Sequence, residues 1–168
     1  MASNPTRLVI AKALVHALAL TPLAILAWQV YEVWKTGSDV LGADPVAEIE
    51  HRTGLWALRF LLITLAITPL RQMTGQPVLI RFRRMLGLYA FFYACLHLLA
   101  YGWLDMGLDV ADIGRDILKR PFILVGFACW LLLLPLAATS FNRAVRWLGG
   151  RQWQALHRLV YVIAPLAL

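Results

Sequence analysis

Long apolar stretches along the chain alternate with shorter segments that hold most of its charged residues. A helix needs roughly 20 apolar residues to cross a hydrocarbon core about 30 Å thick. Four stretches meet this requirement, and a fifth begins near residue 153. The predicted spans are residues 8–34, 54–72, 85–104, 121–141 and 153–168. The pattern predicts an all-α integral membrane helical bundle, built as a single domain.

The two terminal stretches need separate interpretation. The first contains Lys12 and His16 and has no small-residue cleavage pattern, so we interpret it as a retained span rather than a signal peptide. The last is still apolar at Leu168 and is too short to cross the membrane comfortably. We therefore expect the fifth span to be incomplete and the sequence to be a truncated form.

Composition supports the membrane class. Hydrophobic residues make up 61% of the 168 residues, whereas soluble domains are about 45–50% apolar. Cys95 and Cys129 both lie inside predicted spans and neither belongs to a CxxC motif. A disulfide, a zinc site and covalently attached haem are therefore not supported.

The net charge of +7 could suggest nucleic acid, but its distribution indicates membrane topology instead. Residues 1–12, 71–84 and 142–158 contain basic residues and no acidic ones. All nine acidic residues lie in the alternate connections: Glu32, Asp39, Asp44, Glu48, Glu50, Asp105, Asp109, Asp112 and Asp116. By the positive-inside rule, the N-terminus and the two basic loops are cytoplasmic and the acidic loops face outward. The Asp44-Pro45 pair further predicts an N-cap and a short interfacial helix before the second span.

Four histidines fall at two depths when residues are counted from the ends of the spans. His97 lies in the outward half of the third span, with His51 nearer the outer surface. His16 and His157 lie near the cytoplasmic side. His97 is deep enough that a functional role is the default interpretation, whereas His16 and His51 could equally be ordinary hydrogen-bonded residues.

Neutral imidazole suits iron, zinc and copper. The spans contain no pair of thiols and no acidic cluster at the depth of His97. Haem iron is therefore the metal that fits best, because an apolar macrocycle packs well between helices. Arg59 is counted as roughly level with His97, and we interpret it as the partner of a haem propionate. The alternative is that its long side chain extends outward to water. His157 and His16 form a candidate pair at the cytoplasmic level.

Five segments in order resemble the MsrQ (YedZ) family, the b-haem membrane subunits of the MsrPQ methionine sulfoxide reductase system. This family belongs to the six-helix ferric-reductase-like transmembrane superfamily. The similar segments are HRTGLWALRFLLITLAITPLR (51–71), RFRRMLGLYAFFYACLHLLAY (81–101), RDILKRPFILVG (115–126), LPLAATS (134–140) and LGGRQWQALHRLVYVIAP (148–165).

The resemblance implies a non-catalytic electron-transfer subunit of the bacterial inner membrane. Such a subunit takes electrons from a cytoplasmic flavin reductase or the quinone pool. It passes them through one or two haem b groups to MsrP, a periplasmic molybdopterin enzyme that repairs oxidised envelope proteins. FMN binding is also attributed to the family. His97 and His157 match family haem ligands, and the position of a third lies beyond Leu168.

The sequence also leaves other functional interpretations to consider. A small transporter would show polar residues along a path or interrupted repeats, and the spans show neither. A stand-alone ferric-reductase-like cytochrome would share the fold and the histidines. The all-basic cytoplasmic face either sets topology alone or also binds an FMN phosphate or an acidic reductase. Its candidate residues are Arg81, Arg83, Arg84, Arg143 and Arg151.

Overall fold

The computed structural model describes residues 5–168, and every regular element within that range is helical. A 3₁₀ turn, Pro77–Leu79, leads into the third helix, and a π-helical turn, Ala100–Asp105, extends it. The α-helices are α1 (Pro5–Thr36), α2 (Pro45–Thr74), α3 (Ile80–Leu99), α4 (Val110–Lys119), α5 (Pro121–Ala138), α6 (Asn142–Leu148), α7 (Gly150–His157) and α8 (Val160–Leu166). The all-α prediction is confirmed.

Four segments of the described chain are long and apolar enough to cross a membrane: Thr6–Thr36, Pro45–Thr74, Pro77–Asp105 and Pro121–Ala138. The fifth predicted span, residues 153–168, is instead divided into α7 and α8. Between them the backbone tightens, because the amide of Leu159 bonds the carbonyl of Leu156 and that of Tyr161 bonds Arg158. Such three-residue spacing is typical of a 3₁₀ turn between α-helical segments.

The second span begins earlier than the sequence predicts. Asp44 is the predicted N-cap, and its carboxylate accepts a hydrogen bond from the Ala47 amide at 3.0 Å. The separate interfacial helix expected after it is wrong, since α2 continues unbroken to Thr74. The first turns of α2 are continuous with the rest of the helix. Within them Arg52 pairs with Glu48, one turn earlier, at 2.6 Å.

The connection between α3 and α5 contains a helix that the sequence analysis missed. Asp109 caps α4, and its carboxylate accepts hydrogen bonds from the amides of Ala111 and Asp112. The helix is short and its apolar side chains are interrupted by charged ones. It packs against α5, which begins at Pro121.

The core lies between α2, α3, α5 and α8. Phe60 of α2 stacks on Tyr93 of α3 with ring centroids 5.4 Å apart, and Ile163 of α8 is completely buried. The first helix is mostly exposed, and the hydroxyl of Tyr93 donates to the Ala19 carbonyl at 2.8 Å. The end of this bundle with residues 39–50 and 105–116 is called the acidic end, and the end with 71–84 and 142–158 the basic end.

Candidate functional site

A cavity of about 560 Å³ opens between α2, α3, α5 and α8. Its wall is mainly apolar, with a few polar side chains near the acidic end. This volume and this composition are typical of sites that bind a small molecule or a cofactor. The residues that concern its chemistry are Glu50, His51, His97, Tyr101, Asp105 and Arg120.

His97 enters this cavity from α3 with a defined tautomer. Its Nδ1 lies 2.9 Å from the backbone carbonyl oxygen of Glu50. A carbonyl oxygen can only accept, so Nδ1 carries the proton and donates it, and Nε2 keeps a free lone pair. Histidines that bind a metal are usually oriented by such a bond from their other ring nitrogen. His97 is therefore prepared to act as a ligand through Nε2.

Gly54 gives the imidazole of His97 the space it needs beside α2. A Cβ atom added at Gly54 would lie 3.2 Å from both Nδ1 and Cε1 of the ring. That separation is too short for an ordinary van der Waals contact. The absence of a side chain at this position lets the ring approach α2 and reach the Glu50 carbonyl.

Three further polar groups stand around the mouth of the cavity. His51 lines the same cavity as His97, so the structure brings together the two histidines that the sequence assigns to the acidic end. Glu50 and Asp105 also line it, and the Oε1 atom of Glu50 is buried without a hydrogen-bond partner. A buried carboxylate oxygen without a partner marks a place where a bound group or a proton is to be expected.

These residues fit the haem that the sequence predicts. The wall is apolar, the His97 ring is oriented by a backbone carbonyl, and Gly54 leaves room for that ring. An imidazole with a free Nε2 in an apolar pocket is the donor that haem iron takes. The cavity is therefore chemically suited to a macrocycle that is apolar over its faces and polar at one edge.

Arg59 does not contribute to this cavity. Its guanidinium carbon lies 4.8 Å above the ring of Trp56, and the side chain is exposed. Gly54 is the α2 residue beside His97, and Arg59 follows it by more than one helical turn, toward the basic end. The guanidinium instead makes a cation–π contact with Trp56.

Sequence reasoning missed a chain of polar contacts at the cavity mouth. Tyr101 follows His97 by four residues, in the π-helical turn that extends α3, and its hydroxyl donates to Asp116 Oδ2 at 2.9 Å. Asp116 Oδ1 in turn pairs with Nε of Arg120 at 2.8 Å. Tyr101 and Arg120 both line the cavity. No spacing in the sequence signals this contact, because it depends on how α4 lies against the π-helical turn Ala100–Asp105.

His157 lies away from the cavity, at the basic end. Its ring stacks on Trp153 at 3.9 Å, and Nδ1 donates to the Trp153 carbonyl at 3.1 Å. Nε2 is 3.5 Å from the Ser140 hydroxyl.

His16 has a different environment from His157, and the pairing of the two histidines at the cytoplasmic level stays a prediction. Nδ1 of His16 lies 2.7 Å from the hydroxyl of Tyr89, and the two rings meet edge to face. Within residues 5–168, no hydrogen bond or ring contact joins His16 to His157. His16 instead contacts Tyr89 of α3, and His157 lies near Ser140, which follows α5.

The chain matches the model of the family described as "Ferric reductase like transmembrane component" over residues 53–168. This region includes α3 and α5, most of α2, and the α6–α8 segment. No solved structure matches the chain.

Curated relatives match over nearly the whole chain. One, from Xanthomonas oryzae pv. oryzae, is 65% identical over 99% of this chain and 76% of its own length. A second, from Xanthomonas campestris pv. campestris, is 62% identical over the same shares. A third, from Polaromonas naphthalenivorans, is 58% identical over 94% of this chain and 69% of its own length. Each is named as the haem-binding subunit MsrQ of a protein-methionine-sulfoxide reductase.

Proposed function

Since the chain belongs to the ferric-reductase-like transmembrane family, and within it to the MsrQ haem-binding subunits, we propose that it binds haem b in the bacterial inner membrane and conducts electrons across it. In this proposal the donor is a cytoplasmic flavin reductase or the quinone pool. The acceptor is a periplasmic molybdopterin enzyme, MsrP, that reduces methionine sulfoxide. The protein is then the electron-transfer subunit of an oxidoreductase system, and the bond chemistry takes place on its partner.

One observation carries this proposal most directly. His97 lines a cavity of about 560 Å³, and its Nδ1 is committed to the Glu50 carbonyl. The remaining nitrogen, Nε2, is the atom that would bind iron. A histidine kept only for packing would need neither the cavity nor the gap at Gly54.

The roles of the chain's own residues follow from their positions. His97 would hold the iron of haem, and the Glu50 carbonyl would keep its ring in the required tautomer. The apolar wall, including Trp130 and Ile163, would exclude water and so influence the redox potential. Haem itself would supply a one-electron carrier. His51 lines the same cavity and would be a candidate for a second haem ligand.

The two ends of the bundle suggest the direction of electron flow. The basic end would be cytoplasmic and the acidic end periplasmic, as the positive-inside rule requires. His157 lies at the basic end, where a ligand to a second haem would be closer to the donor. The same basic face would suit an FMN phosphate, and Arg84 there already binds the Asn142 side chain at 2.7 Å.

The test is a reduced-minus-oxidised absorption spectrum of the detergent-purified protein, with haem counted by the pyridine haemochrome assay. Wild-type protein should show a low-spin b-type spectrum. His97→Ala should lose or alter a haem signal, whereas Glu50→Gln, which retains the backbone carbonyl, should keep it. His16→Phe serves as the matched control, because His16 bonds Tyr89 away from the cavity.

A wild-type protein that remains colourless when haem is supplied would remove the haem proposal. A haem spectrum unchanged in His97→Ala would show that another residue holds the iron. A normal spectrum without electron transfer to MsrP would favour the stand-alone ferric-reductase-like cytochrome instead.

A further inference from the structure

The mouth of the cavity has an unusual charge arrangement. Among the described residues that line the cavity, Arg120 carries the only permanent positive charge. Glu50 and Asp105 line it as well, so a ligand that brings its own carboxylates would meet two acids there. Such a ligand requires a cation at the mouth, because like charges at short range repel in a medium of low dielectric constant.

Arg120 is held in place and still has donors to offer. Its Nε pairs with Asp116 Oδ1 at 2.8 Å, and the Asp116 side chain is only 12% exposed. The other oxygen of Asp116 accepts the Tyr101 hydroxyl. Within residues 5–168, the two terminal nitrogens of Arg120, Nη1 and Nη2, donate no hydrogen bond to another residue. These nitrogens form the end of a planar fork that matches a carboxylate.

The position of this group relative to His97 fits the edge of a macrocycle. Tyr101 comes four residues after His97, about one turn or 6 Å along the helix axis toward the acidic end. Arg120 is tied to Tyr101 through Asp116, so its charge is fixed on the acidic side of the imidazole. A haem bound to His97 with its polar edge toward the aqueous boundary would bring its carboxylates to that side.

We propose that Arg120 binds the propionate carboxylates of haem, and that Asp116 and Tyr101 position its guanidinium for that contact. This proposal rests on the proposed haem function and deepens it. It also replaces Arg59 in the role that the sequence analysis gave it. Arg59 stacks on Trp56 and does not line the cavity, whereas Arg120 does.

The experiment compares haem with haem dimethyl ester, in which both propionates are esterified and uncharged. The haem-free chain in detergent is titrated with each compound, and binding is followed by the Soret absorbance. Wild-type protein should bind haem about ten-fold or more tightly than the ester, as expected for charge-assisted contacts. Arg120→Gln should remove most of this difference by weakening the binding of haem alone.

Arg59→Gln makes the same change of charge outside the cavity and should keep the wild-type difference between the two compounds. Arg120→Lys retains the charge without the fork and should give an intermediate difference. Asp116→Asn frees the guanidinium and should also reduce the difference. The midpoint potential gives a second readout: it should fall in Arg120→Gln, because removal of a positive charge favours ferric haem.

The outcomes separate the two proposals. If wild-type protein binds neither compound, the haem function and this inference both fail. If it binds both equally, or if Arg120→Gln keeps the difference while Arg59→Gln removes it, only the assignment to Arg120 fails. If Arg120→Gln does not fold, Arg120→Lys and Asp116→Asn decide: an unchanged difference in both overturns the assignment.

Discussion

The imidazole of His97 and the backbone carbonyl of Glu50 are joined by a hydrogen bond of 2.9 Å between α3 and α2. This bond fixes which nitrogen of the ring is protonated, and therefore which one can bind a metal. Because the acceptor belongs to the backbone, the arrangement depends on the fold rather than on the side chain of Glu50. Changes that move the ring should therefore matter more than changes to that carboxylate.

Gly54→Ala should impair haem binding without weakening α2. The new Cβ would lie 3.2 Å from the His97 ring and should displace it by a few tenths of an ångström, which weakens its bond to the Glu50 carbonyl. Alanine is otherwise favoured over glycine within a helix by about 0.5–1 kcal/mol. Haem content and the Soret maximum measure the effect. Gly114→Ala, at a helical glycine with open space around it, is the control and should leave both unchanged; equal behaviour of the two variants would contradict the prediction.

Tyr93→Phe should loosen the attachment of α1. The Tyr93 hydroxyl is buried and donates to the Ala19 carbonyl at 2.8 Å. Its removal should lower the free energy of unfolding by about 1 kcal/mol, the usual net value of one hydrogen bond. Unfolding in a denaturing detergent measures this change. Tyr161→Phe removes an exposed hydroxyl from a ring that is 54% exposed, and its stability should stay at the wild-type value.

Trp153→Leu should disturb His157 more than its own position at the bundle surface suggests. Trp153 stacks on the His157 ring at 3.9 Å, and its indole nitrogen donates to the Thr139 carbonyl at 2.9 Å. Loss of both contacts should free the imidazole to rotate. If His157 binds a haem, the spectrum of that haem should change in this variant and in His157→Ala alike. Trp147→Leu, at a side chain that is 84% exposed, should have no such effect.

Membrane orientation can be tested with single cysteines in a background without Cys95 and Cys129. Asp39→Cys lies in the first acidic connection and Gln76→Cys in the first basic one, and both positions are exposed. In intact inner-membrane vesicles of known sidedness, an impermeant thiol reagent should label position 39 only from the periplasmic side. Position 76 should be labelled only from the cytoplasmic side. The reverse pattern would invert the topology proposed from the positive-inside rule.

The sequence was sufficient for the class of fold, the four long apolar helices and the family. Apolar stretches of about 20 residues and the Asp44 cap depend on local patterns, and the structure has helices where those patterns lie. The sequence failed on α4 and on the division at Arg158–Leu159. These features depend on short segments whose own preferences are weak, so packing against neighbours decides them.

The candidate site also has features that the sequence predicts and features that only packing decides. Counting residues from the ends of the spans brought His51 and His97 to the same end of the bundle, because helical rise depends on sequence number alone. Counting could not give the facing direction of Arg59, the gap at Gly54, or the chain from Tyr101 through Asp116 to Arg120. The Gly54–His97 and Tyr101–Asp116 contacts join different elements, and only the packing of those elements brings the residues within a few ångströms. The side-chain directions of Arg59 and Arg120 are likewise set by their surroundings and not by sequence spacing.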